Sequence, residues 1–187
     1  FKGKYDTLRT VALNNSVPIP LYFDPRLPGQ ALPTGKDSYR FQEFPTKRPQ
    51  NIEECAFYTI GQLAHLIRTR QVTSLELTTM YLERLKRHGP TLECVVTLTE
   101  ELALKQARRA DKNIKAGRYL GPLHGIPYGA KDLLAVPGYK TTWGAMTHKD
   151  QVLDETATVV QKLEDAGAVL VAKLTLGALA WGDVWYG

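Results

Sequence analysis

The chain has 187 residues, of which 43% are hydrophobic and 23% are charged. These fractions are ordinary for a folded protein, and they exclude a fibrous or largely disordered chain. The net charge is +5, but basic and acidic residues are interleaved, as over 100–118. That pattern favours solvated helix faces over an anionic partner surface, so no nucleic-acid partner is expected. The longest apolar stretch, 166–181, contains Lys173 and two glycines and is too short and broken to span a membrane.

The first 56 residues predict a proline-rich arm. Seven of the eleven prolines fall there, and helical periodicity is weak apart from a short helix near 5–13. Several aromatic residues argue against a disordered leader, which has little use for them; they are Tyr22, Phe23, Tyr39, Phe41 and Phe44. We therefore divide the chain into an arm, 1–56, and a body, 57–187. A lid, a contact in a homodimer and simple packing all stay open as roles for the arm.

Two capping boxes open the body. Thr59 with Gln62 predicts the start of one helix, and Thr73 with Glu76 predicts the start of a second. The second helix is expected to end near Gly89–Pro90.

The rest of the body alternates strands and helices. The β-branched run 94–98 predicts a buried strand, and Thr99 is expected to cap the helix that follows. Segment 121–145 is rich in glycine and proline yet partly apolar, which indicates tight turns inside a core rather than a regular element. A helix over 156–166 and a buried strand over 168–172 complete the pattern. The alternation predicts an α/β fold.

Lys131 is the candidate catalytic residue. It lies in the apolar, turn-rich segment, where burial would favour an uncharged amine. An uncharged lysine is a competent general base. The residues alone leave an alternative open, in which Lys131 is a surface lysine that pairs with Asp132 or one that extends its apolar stem along the surface to keep its charge in water.

The segment around this lysine, GPLHGIPYGAKD (121–132), resembles the lysine motif of the amidase-signature family. The resemblance extends in the same order over 57–187. Its further blocks are FYTIGQLAHLIRTRQVTSLELTTMYLERL from Phe57, GYKTTWGA from Gly138, DETATVVQKLEDAGAVLVAK from Asp154 and ALAWG from Ala178.

This resemblance implies the N-terminal portion of a fold with a mixed, twisted central sheet flanked by helices. It also implies hydrolysis of a carboxylic amide to an acid plus ammonia or an amine. In that family a lysine acts through a serine in a cis peptide bond on a nucleophilic serine, and Lys131 matches the lysine. The chain has no serine after Ser74, so we expect both serines beyond residue 187. The implied partners are a small-molecule amide and the remainder of the domain, in the same or another chain.

By matching position, Leu179 and Ala180 are expected to face the substrate, with packing in the core as the alternative. Segment 173–179 lacks the Asn and Glu of the K-T-N-M-x-E-F-like stretch that many family members carry. This departure argues against the A subunit of a glutamyl-tRNA amidotransferase, which stays an alternative, as does a non-catalytic fragment of an amidase fold.

No metal or cofactor is implied. The four histidines show no metal-binding spacing, and the chain has no nucleotide-binding glycine motif. His65 is expected at a rim and His124 in an ordinary hydrogen bond. Cys55 and Cys94 are simplest as two buried thiols, although a disulfide stays open. We expect a soluble chain, cytoplasmic or exported, since the sequence leaves the compartment unknown.

Overall fold

The computed structural model describes residues 1–12, 17, 23–24, 26–31, 34–35, 38, 42, 44–182 and 184–186. It divides into two units, residues 1–40 and 41–187. In the first unit, helix α1 (Lys2–Arg9) buries none of its residues. It begins and ends earlier than the helix predicted near 5–13. Several residues behind the arm prediction lie outside the described residues, so that prediction stays one; they are Pro18, Pro20, Pro25, Pro33, Tyr22, Tyr39 and Phe41.

Helices α2 (Ile60–Arg68) and α3 (Ser74–Leu92) open the body, and both capping boxes are present as predicted. The predicted end of α3 is wrong, because the helix continues through Gly89 and Pro90. Gly89 packs closely on the next strand, where an added Cβ would lie 3.1 Å from a methyl group of Val95. The chain leaves the helix only at Glu93, whose φ is +49°.

Three strands form a mixed sheet, as the resemblance implied. They are β1 (Val95–Leu98), β2 (Pro127–Lys131) and β3 (Val169–Leu174), in the order β1-β3-β2. The central strand β3 is antiparallel to β1 and parallel to β2. Strand β1 is half-buried rather than buried, because it lies at the edge of the sheet. The sequence did not predict β2, since its glycine and proline content disguised a strand.

Helices α4 (Glu100–Lys115) and α5 (Thr158–Asp165) cover the sheet. Thr99 precedes α4, but its side chain does not cap the helix. Its hydroxyl instead donates to the carbonyl of Leu170 at 2.7 Å, which ties the start of α4 to β3. Helix α5 lies between the parallel strands β2 and β3 in the chain, so the three elements form a β-α-β unit.

Strand β3 lies at the centre of the hydrophobic core. Val169 and Val171 pack with residues of α4, whereas Leu170 packs with Val160 of α5. Successive side chains of a strand point to opposite faces, so β3 is covered on both. A further cluster joins α2 and α3 through Leu66, Ile67 and Leu77. None of the helices in the described parts of the chain is both long and apolar enough to cross a membrane.

His124 is buried where the chain approaches β2. Its Nδ1 accepts a hydrogen bond from the backbone N–H of Leu120 at 3.1 Å, the ordinary role expected for it. Gly167 touches the ring so closely that an added Cβ would lie 2.4 Å from Cδ2. Burial, reinforced by the charge of Arg109, lowers the pKa of His124 from its ordinary 6.5.

The free energy of unfolding should therefore fall as the pH drops below about 6.5. In that range His124 binds a proton in the unfolded chain but stays neutral in the folded one. The loss stops once the pH has passed the lowered pKa of the folded state. In the intact protein, His124→Asn should flatten the pH dependence of the urea midpoint between about pH 7.5 and 5. His88→Asn is the matched control, since that side chain is exposed. An unchanged slope in His124→Asn would contradict this account.

Candidate active site

The end of β2 sends successive side chains to opposite sides. Ala130 is 2% exposed and Asp132 fully buried, while Lys131 between them is exposed. The backbone there is held to β3: Lys131 lies opposite Leu174, and the N–H of Asp132 donates to the Leu174 carbonyl at 2.8 Å. The strand thus presents Lys131 outward at the carboxyl end of two parallel strands.

The exposure of Lys131 contradicts the expectation that its segment would bury it. The apolar neighbours Ala130 and Val136 pack against Leu170, on the side away from the lysine. No described residue forms a hydrogen bond or ion pair with the Lys131 ammonium. The surface position in the alternative agrees with this exposure, but the pairing with Asp132 is wrong, because that carboxylate binds another lysine.

The buried lysine of this region is Lys173, on β3. Its Nζ lies 2.7 Å from Oδ1 of Asp132, and both side chains are fully buried. The same ammonium donates to the Lys140 carbonyl at 2.8 Å and to the Thr141 hydroxyl oxygen at 3.2 Å. The ammonium therefore has two hydrogen-bond acceptors and, in Asp132, a counter-ion, which is what burial of a charge requires.

The second oxygen of Asp132 holds the loop after β2. Oδ2 accepts hydrogen bonds from the hydroxyl of Thr142 and, at 2.8 Å, from its backbone N–H. The Thr142 oxygen in turn accepts from the N–H of Gly144 at 3.2 Å. One carboxylate thus links β2, β3 and the loop around residues 140–144.

A backbone chain connects this loop to Leu179. The Trp143 N–H donates to the Asp132 carbonyl at 3.2 Å, and the Trp143 carbonyl accepts from the Leu179 N–H at 2.7 Å. Leu179 is 63% exposed and Ala180 is also exposed, so neither packs into the core that the described residues form. Both residues have positive φ, +53° and +61°, a strained backbone for residues with a Cβ. The structure therefore brings Leu179 and Lys131 to the same end of the sheet.

Sequence reasoning missed Lys173 and Thr142. A signal for the lysine was present: it directly follows the apolar run 168–172, which was predicted to be a buried strand. A charged side chain continuing such a strand needs a buried partner of opposite charge. Nothing local to Thr142 indicated that it would bind the carboxylate.

A cavity of about 730 Å³ lies elsewhere, between α2 and residues 119–123, which precede β2. His65 lines it together with Ile60, Leu123 and Phe44, and its expected position at a rim of the site stays a prediction. The two cysteines are free thiols, but only Cys55 is buried as predicted, since Cys94 is half-buried. Burial raises the pKa of Cys55. Within the described residues, no group of three potential ligands is placed to hold a metal ion.

Comparison with known proteins identifies relatives for most of the body. Residues 76–183 match the family described as Amidase. The A subunit of the glutamyl-tRNA(Gln) amidotransferase of Azoarcus sp. (strain BH72) is 41% identical over 125 residues, or 67% of this chain. The putative amidase AmiD of Mycobacterium tuberculosis (strain H37Rv) is 40% identical over 130 residues, or 68%.

A solved structure of an amidase is similar to this chain as well. Native peptide amidase from Stenotrophomonas maltophilia superposes with a TM-score of 0.62 at 34% identity, over 67% of this chain and 26% of its own. The chain likewise spans 26% of the amidotransferase subunit and 27% of AmiD.

Gly144 offers a test of the loop that holds Asp132. Its φ is +67°, and an added Cβ would lie 2.3 Å from the carbonyl oxygen of Leu176. Gly144→Ala should lower the free energy of unfolding by about 2–4 kcal/mol, from left-handed strain plus a backbone collision. Gly138→Ala is the matched control, because its φ is +79° but nothing lies within 4 Å of the added Cβ. It should cost only about 1 kcal/mol in urea unfolding, and equal costs would show that the close approach does not matter.

Proposed function

This chain belongs to the amidase family, and we propose that it supplies the catalytic base, Lys131, of an enzyme that hydrolyses carboxylic amides. The observation that carries the proposal is the contrast between two neighbouring lysines. Lys173 is bound on all sides by oxygen atoms, whereas Lys131 is exposed beside it with no described partner. A general base has to reach the proton that it removes, and Lys131 is the lysine that can.

The position of Lys131 supports the same role. It lies at the carboxyl end of β2, where β2 and β3 run parallel. Ligands of α/β proteins bind outside the carboxyl ends of such strands. The loops that carry Trp143 and Leu179 meet at this end.

The proposed reaction needs two serines from outside these 187 residues, in the same or another chain. Lys131 acts as its free amine, a form that burial by the rest of the domain would favour. It takes the proton of a bridging serine as that serine takes the proton of the nucleophilic serine. The nucleophile attacks the amide carbonyl, and backbone N–H groups stabilise the oxyanion. The proton then returns through the same relay to the leaving amine as the carbon–nitrogen bond breaks. Water repeats the attack on the acyl-enzyme and releases the acid.

Leu179 and Ala180 are proposed to contact the substrate. Their exposed, apolar side chains lie on a strained turn joined by hydrogen bonds to the residue after Lys131. Backbone strain of this kind often accompanies binding sites. Apolar contacts there suit a small-molecule amide whose acyl or amine group is itself apolar. The arm, proposed to span 1–56, keeps its open roles, contact in a homodimer among them.

A second candidate is the A subunit of a glutamyl-tRNA amidotransferase, favoured by the 41% identity to such a subunit. Segment 173–179 argues against it, because Thr175 and Ala178 stand where Asn and Glu are expected. Co-purification of the natural protein with further amidotransferase subunits would support this candidate. A non-catalytic role would be supported if the natural protein had an intact mass of 20.9 kDa, that of these 187 residues alone, and bound no second chain.

In the intact protein, Lys131→Met should lower amide hydrolysis by about 10²–10⁴-fold, the usual contribution of a general base. Methionine keeps the apolar stem of the side chain and removes the amine. Labelling with a fluorophosphonate, which reacts with an activated serine whatever the substrate, should slow in parallel. Lys149→Met is the matched control, because Lys149 is also an exposed lysine, and it should label at the wild-type rate. Wild-type labelling of Lys131→Met would refute the proposed role.

A further inference from the structure

We infer that Asp132 and Lys173 are positioning residues for Lys131, an inference that rests on the function proposed above. Asp132 directly follows Lys131, so its Cα lies about 3.8 Å from that of the lysine. Its backbone N–H and carbonyl are bonded to Leu174 and Trp143. Its carboxylate is bonded to Lys173 and Thr142. Three polar atoms of Asp132 therefore form hydrogen bonds and the fourth, Oδ1, is ion-paired, so the backbone that orients Lys131 has little freedom.

The ion pair is a costly way to fill a core. Burying two charges carries a large desolvation penalty, and apolar residues of similar volume are often as stabilising or more so. The surroundings of Lys173 on β3 are otherwise apolar, with Leu170, Val171 and Ala172 all nearly inaccessible to solvent. Stability alone therefore gives little reason for this pair.

A pair of apolar side chains forms no hydrogen bonds, so it would not fix the orientation of the segments that carry it. Lys173 binds the Lys140 carbonyl and the Thr141 hydroxyl, while Asp132 binds the N–H and hydroxyl of Thr142. These contacts hold β3, the loop and the end of β2 together at one point. Because hydrogen bonds depend on angle as well as on distance, they also fix how the three segments are oriented. Through Trp143 the same point holds Leu179. A supporting shell of this kind keeps a reactive group within the narrow range of positions that catalysis needs.

The experiment separates positioning from stability in the intact protein. Asp132→Asn or Lys173→Met alone leaves one buried charge without its partner, and each should lower Tm markedly. The double variant Asp132→Leu/Lys173→Met removes both charges and should recover most of the wild-type Tm. Its kcat should nevertheless stay about tenfold to a hundredfold low with KM little changed, because a displacement of about 1 Å has effects of this size. The rate of fluorophosphonate labelling should fall by the same factor.

The matched control is the pair Lys86–Glu100. Its Nζ–O distance is also 2.7 Å, but both side chains are exposed and lie on α3 and α4. The double variant Lys86→Met/Glu100→Gln should keep wild-type Tm, kcat and labelling rate. Wild-type kcat in the buried double variant would overturn the inference and leave the pair a structural feature.

Two further measurements keep the outcome decisive. Should the buried double variant fail to fold, Thr142→Val removes one bond to Asp132 while keeping both charges. It should lower kcat, and Thr142→Ser should restore it; wild-type kcat in Thr142→Val would overturn the inference. Lys131→Met is measured alongside, because full activity in that variant refutes the proposed function itself. Loss of activity there, combined with a fully active Asp132→Leu/Lys173→Met variant, refutes positioning alone.

Discussion

The buried ion pair between Lys173 and Asp132 is the constraint on which the site depends. Neither charge can be solvated, since both side chains are fully buried, so each must find its partners within the protein. The partners come from β3, from the end of β2 and from the loop between them. These three segments therefore cannot move independently without exposing an unpaired charge. The geometry of the outer residues, Lys131 and Leu179, follows from this internal bond.

The register of β2 against β3 determines which of the two lysines is buried and which is exposed. Ala130 lies opposite Lys173 and Lys131 lies opposite Leu174 on the neighbouring strand. The pleat sends Asp132 inward and Lys131 outward, so Lys173 is buried in an ion pair whereas Lys131 is accessible. Reasoning from the apolar composition around Lys131 attributed burial to the wrong lysine. Composition describes a segment as a whole, whereas exposure depends on the face to which each side chain points.

Local signals in the sequence predicted local structure well. The boxes at Thr59 and Thr73 open helices because their hydrogen bonds span only three residues. The α/β class and the mixed sheet also followed from the order of elements and from the family resemblance. Strand β2 did not, because its pairing with β3 overrides the turn propensity of its glycine and proline. Thr99 was misassigned for a similar reason: its hydroxyl found an acceptor on Leu170, distant in sequence, instead of the nearby helix.

The site residues show the same difference between local signals and contacts made by residues distant in sequence. Family motifs were enough to propose Lys131, Leu179 and Ala180 as functional positions, but they did not reveal what holds them. That support is made of contacts between residues 132, 142 and 173, which only the folded chain brings together. These contacts involve Lys140, Thr141 and Thr142 and no serine. Under the proposed function, the contacts that orient Lys131 therefore lie within these 187 residues, and the two serines add the hydroxyl groups on which it acts.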